Sequence, residues 1–323
     1  MDTSKPFTRA QALSSGISRR ALTNGNFRRI VWGVYVDAAV PPTPMIEAAA
    51  ALLVSPTGSH ASHFTAARIW GGVVPDQPLI HVCAAPGSTR CQRQGIRSHE
   101  CADLHHAVTS ERTPVGAVII DSGVRVSTPA RSFLELASAM GLVDLVVLGD
   151  SLVKSKRVVP HDLVEAADDW HGPGAVRARR AARFVRAGVD SPMETRLRML
   201  MVLAGLPEPT VNHVIRWPDG SWRFRFDLAF PDHRLAIEYD GRHHVQDDAT
   251  WESDIYRRED LDRGKWRRVT VISSGIFVSP DQTLRRIVDV MREVGVPGVP
   301  RRLSDEWRAH FPGRPVSYLS DRT

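Results

Sequence analysis

No stretch of the chain is both long and apolar enough to cross a bilayer; the best run, Met45 to Val54, is short and carries Glu47. The amino terminus shows no signal-peptide pattern, so a cytosolic protein with no membrane partner is expected. Cysteine is scarce. Cys83, Cys91 and Cys101 are an odd set with no C-x-x-C spacing, which fits a reducing compartment. H-x-C does occur twice, at His81 to Cys83 and His99 to Cys101, with His105 and His106 close behind. That spacing matches no common zinc pattern, and cysteines in strands are ordinary core residues.

What the chain has in excess is positive charge. Over 323 residues the formal balance is +6 and the pI about 9.6, with the basic residues mostly arginine. That favours a polyanionic partner such as nucleic acid, although solvated helix faces give similar counts. Arginines gather at Arg19, Arg20, Arg28 and Arg29, across Arg177 to Arg186, and at Arg257, Arg258, Arg263, Arg267 and Arg268.

The length suits two or three domains of an α/β (α+β) protein. Thr8 suits a helix N-cap, Gly16 a helix end and Ser18 the cap of a second helix through Leu22. The ribbon NFRRIVWGVYV follows, so residues 1–40 read as a winged helix-turn-helix. Residues 41–150 read as a mixed α/β domain with helices opening at the proline cluster 41–44 and at Thr128-Pro129. Residues 151–187 read as a helical connector in which Arg179, Arg183 and Arg186 share a face. Residues 188–297 carry the order α, β, β, α, β, α, a small sheet with helices on it, and 298–323 a polar tail.

Within that third unit, WRFRFDLAFPDHRLAIEYDGRHH reads as two alternating strands around a short turn. Phe224, Phe226, Leu228 and Phe230 fall on one face, Arg225 and Asp227 on the other. A turn centred between Asp232 and His233 sets Asp227 directly opposite Glu238, with Asp240 two residues on. Like charges facing across a ladder destabilise it unless a cation sits between them, and hard divalent ions take oxygen ligands. The structural alternative is a solvated hairpin face carrying several acids.

Residues 188–297 resemble the DUF559 family, similar to the very-short-patch-repair endonucleases of the PD-(D/E)XK, or restriction-endonuclease-like, superfamily. The matching segments are SPMETRLRML, FDLAFP and LAIEYDGRHH, with the later D-x-x-R of Asp254 to Arg257. Residues 7 to 150 look like the AbiEi-type antitoxins through WGVYV, SHASHFTAARIWG and STPARSFLELA. The first resemblance implies a restriction-endonuclease-like domain, a mixed central sheet flanked by helices. It also implies that Asp227 and Glu238 are ligands of Mg2+ or Mn2+. The second implies DNA binding and a toxin-like protein as a further partner.

The usual E-x-K lysine is replaced by Asp240. Either another side chain takes its role or catalysis is lost. His243 and His244 are near enough to act as general acid or base. Glu194 either closes a capping box on the Ser191 backbone or joins the metal site. Arg257 and Arg258 either clamp phosphate or form surface pairs. The leading expectation is a DNA-binding protein with a Mg2+-dependent endonuclease domain. The alternative is a catalytically inactive DNA-binding regulator or antitoxin-like protein.

Overall fold

The structure is a computed structural model describing residues 1–84, 87–88, 91–100, 109–110, 113–114, 116–120, 123–216, 219, 222–241 and 264–313. It is an α+β protein that divides into two compact units, Met1–Val185 and Arg186–Thr323.

Unit 1 begins with β1 (Phe7–Thr8), α1 (Arg9–Ser14), β2 (Phe27–Val31) and β3 (Val34–Asp37). Thr8 caps α1 as its sequence promises: its hydroxyl accepts the Gln11 N–H while the Gln11 side chain accepts the Thr8 N–H. The expected second helix is only a 3-10 turn, Ala21–Thr23, although Ser18 does accept the Ala21 N–H. Asn24-Gly25-Asn26 follows at once, and Gly25 in the left-handed region stops the helix before it can propagate. The antiparallel sheet runs β1-β3-β2. It closes on a small core of Phe7, Ala12 and Leu22. Gly33, at φ +81°, makes the turn of the β2–β3 ribbon.

The rest of unit 1 is built on a mixed sheet of β4 (His60–Ala61), β5 (Ile80–Ala84), β6 (Ile96–Glu100), β9 (Ala117–Ile119) and β10 (Arg125–Ser127), ordered β6-β5-β4-β10-β9. β7 (Thr109–Ser110) pairs with β8 (Thr113–Pro114) alone. The helices are α2 (Pro44–Leu52), α3 (His63–Ile69), α4 (Pro129–Leu136), α5 (Leu142–Lys154), α6 (Pro160–Asp168) and α7 (Ala175–Ala182). Thr43 and Thr128 cap α2 and α4, each with proline in the first turn. Residues 151–185, expected within a connector, instead pack α6 and α7 onto α4 and α5.

Unit 2 has α8 (Pro192–Leu203), a sheet of β11 (Thr210–Arg216), β12 (Trp222–Phe230), β13 (Leu235–Tyr239) and β14 (Arg267–Val271), then α9 (Ser273–Phe277) and α10 (Pro280–Glu293). The sheet order is β11-β12-β13-β14, antiparallel except for the parallel β13–β14 pair. α8 lies on β12 and β13, and α10 on β14. Both faces of the central strands are covered, since Phe226, Leu228, Ala229, Ala236 and Ile237 are all buried. Burying Phe226 alone contributes about 2–3 kcal/mol. In the stretch read as a tail, Trp307 and Phe311 are buried and the Ser304 N–H donates to the Ala204 carbonyl.

Candidate functional site

The β12–β13 ladder pairs Phe230 with Leu235, Ala229 with Ala236 and Leu228 with Ile237, so its next step sets Asp227 opposite Glu238. The ladder ends there for a chemical reason. The Tyr239 N–H donates to Asp227 Oδ2 at 2.8 Å, so a carboxylate takes the place of a backbone acceptor. Glu238 is 9% exposed and meets Arg268 of β14, whose Nη1 lies 3.5 Å from its Oε2. Asp240 follows the end of β13, and its N–H continues the parallel ladder to the Val271 carbonyl.

β11 brings in a residue that the sequence reading passed over. Val211 pairs with Leu228 and His213 with Phe226, so Asn212 stands beside Asp227. Its φ of +46° suits a side chain that tolerates the left-handed region. The Asn212 carboxamide donates to the Gly188 carbonyl and to Glu194 Oε2, the latter at 3.4 Å.

Glu194 therefore joins α8 to the acidic face, but its capping contact differs from expectation. Its carboxylate accepts the N–H of Asp190, not that of Ser191, while Ser191 Oγ accepts the Glu194 N–H. The shift by one residue leaves the second donor, Asn212, within reach. Asp227, Glu238, Asp240 and Glu194 do not converge as three ligands of one ion. Among the described residues, only His60, Cys83 and Glu135 bring three ligand atoms within 4.8 Å of one another. His243, His244, Asp254, Arg257 and Arg258 lie outside the described residues, as do Cys101, His105 and His106.

The arginines near the amino terminus have separate surroundings. Arg19 and Arg20 are exposed. Arg28 donates to the Val40 carbonyl at 3.1 Å, which fastens the ribbon. Arg29 lies over the ring of Trp32, 5.1 Å from its centroid, and Trp32 is 62% exposed at the tip of that ribbon. Arg93 donates to the Trp32 carbonyl at 2.9 Å. The shared face expected of Arg179, Arg183 and Arg186 does not form, because α7 ends at Ala182. Arg179 donates to the Trp170 carbonyl, Arg183 pairs with Asp168 and Arg186 with Glu208.

A second cluster, in unit 1, is invisible to spacing rules because it is assembled across strands. His60 pairs with Cys83 and Cys83 with His99, a row across β4, β5 and β6. Glu135 enters from α4. Its carboxylate accepts the Ser127 hydroxyl at 3.1 Å, Arg131 Nε at 3.0 Å and the His63 N–H at 2.9 Å. Arg131 also stacks on Trp170. His81 Nδ1 lies 3.0 Å from His99 Nε2, and the His63 and His99 rings stack 3.7 Å apart. Cys91 keeps a free thiol, whereas Cys83 is disulfide-bonded, contrary to a set of reduced cysteines.

Burial holds three of these imidazoles neutral. It pushes His60 down to about 4, against the pull of Glu135; His63 to about 3, helped by His81 and Arg131; and His81 to about 4, helped by His99 and Arg97. The ordinary value is 6.5, so acid protonates the unfolded chain before the folded one. Their contribution to stability is complete above pH 6.5 and disappears as pH falls towards 4. Urea unfolding of unit 1, in EDTA, should show a loss of roughly 3–5 kcal/mol between pH 6.5 and 5. A flat profile over that range would contradict the burial of these rings.

No family model matches the chain. It is 28% identical over 268 residues to two Mycobacterium tuberculosis proteins, uncharacterized protein MT2308 of strain CDC 1551 / Oshkosh and uncharacterized protein Rv2248 of strain ATCC 25618 / H37Rv. Each alignment covers 82% of this chain and 92% of the relative. The crystal structure of the RV2827C protein from the same species aligns with 67% of this chain and 84% of its own, at 14% identity and a TM-score of 0.36.

Proposed function

We propose that unit 2 is a Mg2+-dependent endonuclease domain acting on DNA, and that the amino-terminal ribbon of unit 1 contacts the duplex. The observation that carries the reading is the placement of Asp227 opposite Glu238 where the β12–β13 ladder opens. Oxygen donors of this kind suit Mg2+ or Mn2+, which would be held by Asp227 and Glu238. Such an ion would supply charge neutralisation at the scissile phosphate and a more acidic bound water.

The chain's own groups have definite tasks in this reading. Asp227 fixes the end of β13 through the Tyr239 N–H. Arg268 supplies the cationic group that the E-x-K lysine would otherwise give, from β14 instead of β13. A guanidinium stays protonated, so it can orient Glu238 or a phosphate oxygen but cannot act as a base. Asp240, two residues beyond Glu238, is the group assigned to proton transfer.

A second reading has its own observation. Arg268 already neutralises Glu238 in part, and no three carboxylates converge among the described residues. Both are expected of a domain that keeps the fold but binds DNA, or a toxin-like partner, without cutting. Supercoiled plasmid with Mg2+ or Mn2+, with EDTA as control, separates the two: metal-dependent nicking supports the endonuclease. Retained gel-shift binding without nicking supports the regulator.

The ribbon makes a separate prediction. Replacing Arg29 by Ala should weaken duplex binding and reduce the salt slope by about one unit, the signature of one lost phosphate contact. Trp32→Ala should weaken binding with little change in slope, because an aromatic ring releases no counterion. Arg28→Ala should act mainly on stability, since its guanidinium is spent on Val40. Equal slopes in wild type and Arg29→Ala would remove the ribbon from the interface.

A further inference from the structure

We infer that the buried polar face of unit 1 binds one divalent cation of the zinc class through His60, Glu135 and, once its disulfide is reduced, Cys83. The site is independent of the acidic pair in unit 2 and of its proposed chemistry.

His60 points to a missing partner most directly. It is 0% exposed, and neither Nδ1 nor Nε2 has a hydrogen-bond partner. An imidazole always presents a donor or an acceptor at each nitrogen, and leaving one buried and unpaired is destabilising. A lone pair directed at a cation gives one of the two nitrogens its partner. Sequence separation hides the arrangement, but the fold makes it compact: His60 and Cys83 are cross-strand neighbours, and Glu135 comes down from α4. Their ligand atoms lie within 4.8 Å of one another. Around a tetrahedral zinc such atoms stand about 3.3–3.8 Å apart, so closure by at most roughly 1.5 Å lets the three share one ion and leaves its fourth position open.

Ser127, Arg131 and the His63 N–H hold the Glu135 carboxylate from three sides. The nitrogen, sulfur and oxygen donors select a borderline-soft ion over Mg2+. Burial keeps His60 in the neutral form that ligation requires.

Cys83 sets the condition. A disulfide sulfur is a poor ligand, so the bridge and the ion are alternatives. A dithiol or phosphine reductant gives two electrons to the bridge, the S–S bond breaks, and the two cysteine sulfurs take up two protons. The reductant leaves as a cyclic disulfide or, with water supplying oxygen and the protons, as a phosphine oxide. Zinc then displaces the Cys83 thiol proton to solvent and binds the thiolate.

The test uses the full chain, reduced with a phosphine and separately oxidised, titrated with Zn2+ against a chromogenic chelator, and with Co2+ as a spectroscopic probe. The reduced protein should bind one equivalent at least about 100-fold more tightly than the oxidised protein, His60→Gln or Cys83→Ser. Its Co2+ form should show a thiolate-to-metal charge-transfer band that Cys83→Ser lacks. Circular dichroism checks each variant's fold, and the band in the wild-type protein decides the matter if a variant fails to fold. Equal affinity in the oxidised and reduced chains, or no thiolate band in the reduced wild type, overturns the proposal.

Discussion

Asp227→Asn should abolish metal-dependent plasmid nicking while leaving unit 2 folded. Asparagine keeps an oxygen of the same shape, so the Tyr239 N–H, now 2.8 Å from Asp227 Oδ2, still finds an acceptor. What disappears is the charge. Losing a metal-binding carboxylate removes several kcal/mol of transition-state stabilisation, and 4 kcal/mol is about a 1,000-fold fall in rate. Asp227→Ala should show the same kinetic loss and a further stability cost of about 1–3 kcal/mol, because the Tyr239 N–H is then orphaned. Comparing the two variants by initial nicking rate and urea midpoint separates chemistry from folding. Glu238→Gln should resemble Asp227→Asn, with Arg268 left to seek another anion. Nicking by Asp227→Asn at the wild-type rate would remove Asp227 from the reaction.

The acidic hairpin was legible because its order is local. Alternation from Phe224 to Phe230 and from Leu235 to Tyr239 sets the faces, and a 3-10 turn at Pro231–His233 with Arg234 at φ +48° fixes the register. The expected pairing therefore follows from the turn and a period of two. β11 escaped because it is an edge strand with mostly half-buried residues, so Thr210 to Arg216 lacks a strong apolar face. Its Asn212 and the Arg268 of β14 reach the acids only through sheet order, which no local pattern specifies.

The cluster in unit 1 was harder still. β4 is two residues long, β4 pairs in parallel with β10 at a separation of 65 positions (Ala61 with Val126), and β5 pairs in parallel with β6. Seven histidines and cysteines between residues 81 and 106 invite a search for zinc spacing, while the residues that converge include His60 and Glu135 from either side of that stretch. One signal was present in the sequence. Arg131 and Glu135 stand four apart in a helix whose residues are buried nearly throughout, where a salt bridge needs further polar partners.

That burial makes Glu135→Ala the most damaging substitution expected in unit 1. The change strands the Arg131 guanidinium over Trp170 without its carboxylate and leaves the Ser127 hydroxyl and the His63 N–H without their acceptor. Removing one partner of a buried pair costs about 3–5 kcal/mol, mostly as the penalty on the charge left behind. Urea unfolding at neutral pH in EDTA measures it without stabilisation by bound metal. Arg183→Ala is the control: its partner Asp168 and it are both exposed, and its loss should cost under about 1 kcal/mol. The double variant Arg131→Met with Glu135→Leu should recover part of the loss, since it removes the charges together and keeps apolar volume in their place. A cost for Glu135→Ala no larger than that of the exposed control would mean that water reaches the carboxylate. The neutral histidines around it would then lose their physical basis as well.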